Sequence, residues 1–143
     1  MAIETDSLII DALLTHVDAF ELPLGVRCYK PGKSETRDLA NPYILVQFFA
    51  NQPDQPFISL TREPIRMGLL QLDVYWPKNQ GVIEAYELAG ALVRHFPRGP
   101  NVIKGTTTVW VLGRNPQAPY VASPIQEPDW LHLPVVIPWT HYP

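Results

Sequence analysis

Arg66 to Gly99, RMGLLQLDVYWPKNQGVIEAYELAGALVRHFPRG, decides the fold. In Gly68–Trp76, Leu70, Leu72, Val74 and Trp76 alternate with Leu69, Gln71, Asp73 and Tyr75. This period of two predicts a strand with one apolar face and one mixed face. Pro77 to Gly81 breaks the strand, and Gly81 opens a new element. Val82, Ala85, Tyr86, Ala89, Leu92, Val93 and Phe96 then recur at helical spacing, with Glu84, Glu87, Arg94 and His95 on the other side. Pro97 stops the helix and Gly99 releases the chain. The unit is a packing module without a nucleophile, ligand cluster or phosphate loop.

Upstream, Thr5-Asp6-Ser7 offers N-cap side chains before an apolar pattern, Leu8, Ile9, Ala12, Leu13, His16, Val17 and Phe20. Pro23 and Gly25 end that helix. Val26–Tyr29 reads as a short strand, Lys30 to Asn41 as a polar loop, and Tyr43 to Ala50 as a strong strand. Asn51 to Met67 forms a projecting hairpin or an edge strand with a return, with Phe57–Leu60 as a short apolar patch. Downstream, Thr106 to Leu112 is a strand and Gly113 to Asp129 a proline-rich loop without periodicity. Trp130 to Trp139 is a last strand, placed at a sheet edge because Pro134 and Pro138 remove ladder donors. The order lacks βαβ alternation, so it predicts an α+β domain over 1–143: a mostly antiparallel sheet with two helices packed on one face.

Hydrophobic residues make up 46% of the 143, enough for a core in one domain. Only 17% are charged, which leaves much uncharged surface and leans toward an oligomer or a covered protein. A net charge of -3 gives no footprint for general nucleic-acid binding. The single cysteine, Cys28, excludes an internal disulfide framework and suits a reducing compartment. No run is long enough to span a membrane as a helix, and MAIETDS lacks signal-peptide character, so a soluble cytoplasmic product is expected. The 16 prolines cluster outside the periodic segments and imply stiff, extended loops that dock at low entropic cost.

Catalytic and cofactor motifs are missing. The serines lack a nucleophile elbow. Cys28 reads as a small half-buried strand residue. His16, His95, His132 and His141 lack metal-ligand spacing, and His16 reads as a partly buried, hydrogen-bonded histidine. No glycine-rich phosphate loop occurs. Lys30, Lys33 and Arg37 are diluted by Glu35 and Asp38. Arg94, His95 and Arg98 complement the negative end of the second helix, or meet an acidic partner. No catalytic residue, metal ligand or cofactor is therefore assigned. Trp76, Trp110, Trp130 and Trp139 sit in or near strands, where core packing is the default. Phe57 and Ile58 lie in a segment too short for its own core and are better interface candidates. Arg62, Arg94 and Arg98 join them.

L-L-Q-L-D-V-Y-W-P (Leu69–Pro77), the alanine- and leucine-rich helix, and H-F-P-R-G (His95–Gly99) resemble the tail-terminator-like proteins of tailed bacteriophages. That family's pattern is a G-L-L-Q-V-D-V-Y-x-P strand, a helix and an F-P-x-G stop. The opening helix, Y-I-L-V-Q-F (Tyr43–Phe48) and P-V-x-I-P-W (Pro134–Trp139) fall in the same order. The Asn51–Met67 excursion and the Gly113–Asp129 loop depart from the pattern. The resemblance implies a non-enzymatic virion protein that forms a ring, usually a homohexamer, at the head-proximal end of the tail. Such a ring ends tube polymerisation and completes the tail. Its implied partners are its own copies, the tail tube protein and the head-side connector, and DNA passes through without sequence-specific contact. Assembly would occur in the host cytoplasm, with no membrane involved.

Two other readings stay open. One is a neighbouring neck or head-closure component. The other is a small ligand-binding or enzymatic α+β domain, in which Asp73, Tyr75 and a histidine such as His132 converge on the sheet.

Overall fold

The strand at the centre of that stretch becomes β3, Arg66–Pro77, in a computed structural model that describes residues 4–32, 41–55, 58, 62–112 and 118–143. β2, Tyr43–Ala50, pairs antiparallel with it from Tyr43↔Tyr75 to Ala50↔Gly68. β8, Trp130–His141, lies antiparallel along the other side of β3 for its whole length. The remaining strands are β1 (Arg27–Tyr29), β4 (Gly99–Lys104), β5 (Thr107–Val111), β6 (Tyr120–Val121) and β7 (Ile125–Gln126). The sheet runs β1-β2-β3-β8-β5-β4, with β6 and β7 also paired to β8. β1 is parallel to β2, so the expectation of a mostly antiparallel sheet is corrected to a mixed sheet within an α+β fold.

β8 is central, not an edge strand, and residues 131–140 are all buried. The prolines are tolerated because of the direction they face. In an antiparallel strand the N–H and C=O of one residue point to the same side. The Pro134 carbonyl accepts from the Ala122 N–H at 2.8 Å, and the Pro138 carbonyl from the Leu112 N–H at 3.0 Å. Both ring nitrogens therefore face away from β3. On that side the partner changes: β7 pairs at Leu131 and His132, β6 at Val135 and Val136, and β5 at Trp139 and Thr140. Each proline sits between two of these segments, and the ladder to β3 keeps its donors. Gly113 to Asp129, read as a plain loop, thus contributes β6 and β7. β4 was also not expected; Val102 is its only buried residue, so it carries no apolar alternation to read.

Register puts Ile44, Val46, Leu70, Leu72, Val74, Leu133, Val135 and Ile137 on one face of the sheet. They join the buried residues of two helices in one apolar cluster. α1, Thr5–Asp18, contributes Ile9, Ala12, Leu13 and Val17, and contacts β4 and β5. α2, Val82–His95, contributes Ala85, Leu88, Ala89 and Leu92, and contacts β3 and β8. Val82 and Tyr86, expected on the core face of the second helix, are exposed instead. Glu4 occupies the cap position of α1 without a side-chain bond, so Thr5-Asp6-Ser7 does not cap it.

Gly68 is dictated by packing. A Cβ there would collide with the Phe49 carbonyl oxygen and would lie 2.7 Å from Cζ2 of Trp139. Trp139 is itself 1% exposed and stacked on Phe48.

The C-terminal ends of the helices are tied reciprocally. His16 Nε2 donates to the His95 carbonyl at 2.6 Å, and His95 Nε2 donates to the His16 carbonyl at 2.6 Å. The two rings are 4.2 Å apart between centroids. Burial lowers the pKa of His16, and repulsion from His95 adds to this against the bond to the His95 carbonyl. This bears out His16 as a hydrogen-bonded, partly buried residue. Cys28 is half-buried against the core, as read.

Candidate functional site

The β2–β3 hairpin continues past the sheet as an arm. Asn51 N–H donates to the Met67 carbonyl at 2.9 Å, and Asp54 and Ile65 exchange bonds of 2.9 and 2.8 Å. Gln55 Nε2 donates to the Arg62 carbonyl at 3.1 Å. The base is anchored to α1. Arg66 pairs with Asp6 at 3.0 Å and reaches Glu63 at 3.6 Å, while the Thr5 hydroxyl donates to Glu63 at 2.9 Å. His141 closes this base, and its pKa is lowered by burial and by Arg66, against the opposing pull of Glu63 and Asp6. Ile58, farther out, is 99% exposed. Phe57 lies outside the described residues.

Two of the other candidates lie elsewhere. Arg62 is exposed on the arm. Arg94 lines an open cleft on the outer side of α2, with Val82, Ile83, Tyr86, Glu87 and Gly90. Arg98 lines a second shallow cleft with Gly99, Trp110, Val111 and Leu112. The four interface candidates among the described residues thus occupy three surfaces. The exposed apolar side of α2 was missed, because Val82 and Tyr86 fit the inward pattern by spacing alone.

Asp73, Tyr75 and His132 do converge. His132 Nε2 donates to Asp73 Oδ1 at 2.7 Å, and Gln71 Nε2 donates to the same oxygen at 2.8 Å. Tyr75 stacks on the His132 ring, with centroids 4.3 Å apart. Cross-strand register extends the row to Tyr43, stacked on Tyr75 at 4.7 Å, and Trp130 packs edge-on against Tyr43 at 5.3 Å. The remaining nitrogen of His132 faces Glu127 Oε1 at 3.5 Å. A carboxylate therefore stands where a histidine in a nucleophilic triad would meet its hydroxyl or thiol. Asp73 is 1% exposed, and the best-formed clefts are lined by other residues. Chemically the group is a satisfied buried network that pins β3 to β8. Gln71 and Tyr75 were legible as Asp73's face-mates; Glu127 was not, because its segment has no periodicity. Among the described residues no group of three or more His, Cys, Asp or Glu side chains could hold a metal ion, and no helix is long and apolar enough to cross a membrane.

The molecule is thus a small α+β protein whose most conspicuous exposed features are an arm and apolar clefts. It belongs to the phage tail terminator family: the family model for phage tail terminator protein matches residues 8–139. One solved structure superposes with a TM-score of 0.71 at 18% identity, covering 97% of this chain and 98% of that one, and so shares the fold. No curated protein matches the chain. Family membership gives the protein a structural role in the phage virion tail.

Proposed function

We propose that residues 1–143 form one domain that is a subunit of a tail-terminating ring. The ring, a homohexamer, caps the tail tube, stops its polymerisation and offers a head-proximal surface to the connector, with DNA crossing the hole without sequence-specific contact. The protein works by binding and not by catalysis, and it assembles in the host cytoplasm. The family match across residues 8–139 carries this reading. A ring needs two different surfaces on each subunit. Ile58 and Arg62 on the arm, and Arg94 and Arg98 on separate clefts, supply candidates for them; Phe57 is a further candidate from sequence.

The test is to polymerise tail tube protein with and without this chain and image the products by negative stain. Tubes that stop growing and carry a ring at one end support the proposal. Tubes whose length and ends are unchanged overturn it and favour a neck or head-closure role. The reading of a small ligand-binding or enzymatic domain has one observation in its favour, the meeting of Asp73, Tyr75 and His132. If Asp73→Asn leaves tube capping and every assayed binding activity intact, that reading loses its only anchor.

A further inference from the structure

The outer side of α2 has the wrong composition for a solvated helix face. Val82, Ile83 and Tyr86 are exposed there by 52%, 69% and 42%. Gly90 adds no side chain, and a Cβ at that position would meet only the Arg94 guanidinium, at 3.6 Å. Glycine in a helix interior costs about 1 kcal/mol relative to alanine, and here it leaves the helix backbone open to close approach by another surface. Two charges punctuate the face. Glu87 stands three residues before Gly90, and Arg94 three residues after Ala91. Neither has an ion pair among the described residues.

This spacing is self-complementary. If two α2 helices cross antiparallel with Gly90 and Ala91 at the crossing point, Glu87 of each copy meets Arg94 of the other. Small residues then lie where the backbones are nearest; Tyr86 flanks the crossing, and Ile83, about 11 Å along the axis, meets the end of the other helix. We propose that the α2 face is a two-fold docking surface for a second copy of this chain, held by two reciprocal Glu87–Arg94 pairs. The contact is isologous, so it joins two subunits, or two rings, and does not itself close a ring. It does not depend on tube termination, but it competes with the use of Arg94 as a ring contact and leaves Ile58 and Arg62 on the arm and Arg98 for the ring's two surfaces.

Charge reversal tests it. Glu87→Arg alone sets an introduced guanidinium against Arg94, and Arg94→Glu alone sets an introduced carboxylate against Glu87. Both native side chains are exposed, so both variants keep the fold. Each variant alone should shift the midpoint concentration for doubling of mass upward by about tenfold or more in light scattering. An equimolar mixture restores both pairs. The two introduced side chains meet each other with reversed polarity, and the native Arg94 of one variant meets the native Glu87 of the other. The mixture should therefore form a mixed species of twice the mass. A wild-type mass that does not double, single variants that double like the wild type, or a mixture no heavier than either variant would each overturn the proposal.

Discussion

The two faces of the central strands make a controlled comparison, because β2, β3 and β8 supply both. On one face, Val46, Leu72 and Val135 are buried aliphatic residues in register across the three strands. Three residues along, on the other face, Tyr43, Tyr75 and His132 stack, with Asp73 held between Gln71 and His132. The first face gains stability from volume and area, for which one aliphatic side chain nearly substitutes for another of similar size. The second depends on named partners, because a buried carboxylate or imidazole without its bond carries a large penalty. The difference explains how Asp73 can be buried: its carboxylate keeps two donors, Gln71 and His132.

The comparison breaks first at Gly68, where the packing around β3 has no spare volume. Gly68→Ala should cost about 3 kcal/mol, since the methyl meets strand backbone and the Trp139 ring and not a flexible tip. Urea denaturation measures it; an unchanged midpoint would mean that the close approach is not required. Leu72→Ala, fully buried, should likewise cost about 3 kcal/mol through the cavity it leaves. On the other face, Asp73→Ala should cost about 2 kcal/mol by orphaning Gln71 and His132, while Asp73→Asn should lose less than half of that because its oxygen still accepts. Equal losses for Ala and Asn would show that charge, and not hydrogen bonding, holds the network.

A smaller effect is expected from pH. His16 and His141 both have folded-state pKa values below the ordinary 6.5. The unfolded chain therefore binds more protons than the folded one once the pH falls below about 6.5. Stability should be fully present above that pH and decline as acid is added, levelling off below the folded-state values. Denaturation midpoints at neutral and mildly acidic pH measure the slope, and His16→Gln should flatten part of it. A midpoint that rises on acidification would contradict the assigned direction. The smallest effect on folding belongs to Ile58→Asp, within about 0.5 kcal/mol for so exposed a site. Under the proposed assembly it should nevertheless weaken oligomers, and sedimentation velocity separates the two consequences.

How much was legible in the sequence follows from the same contrast. β3, α2 and β2 announce themselves because burial on one face leaves a period in the chain. Asp73, Gln71 and Tyr75 were readable as neighbours for that reason. The placement of β8 was not, because the rule that proline marks an edge assumes a continuous partner on each side. Here the partner is broken into β5, β6 and β7, and the ring nitrogens face the breaks. The two-residue strands β6 and β7 are too short to show a period, and Glu127 beside them was invisible for the same reason. On α2, Val82 and Tyr86 had a helical spacing compatible with the core, and only the position of the helix on the sheet decided otherwise.

The central position of β8 also bears on synthesis. The strand that joins β3 to β5 is built from Trp130–His141, which leaves the ribosome after every other described element. Until then β3 exposes an unpaired edge, and residues as far apart as Leu70 and Ile137 cannot meet. A chain cut short before Trp130 has no finished sheet to present. A product truncated there therefore lacks the strand that β3 and β5 pair with and that α2 packs against.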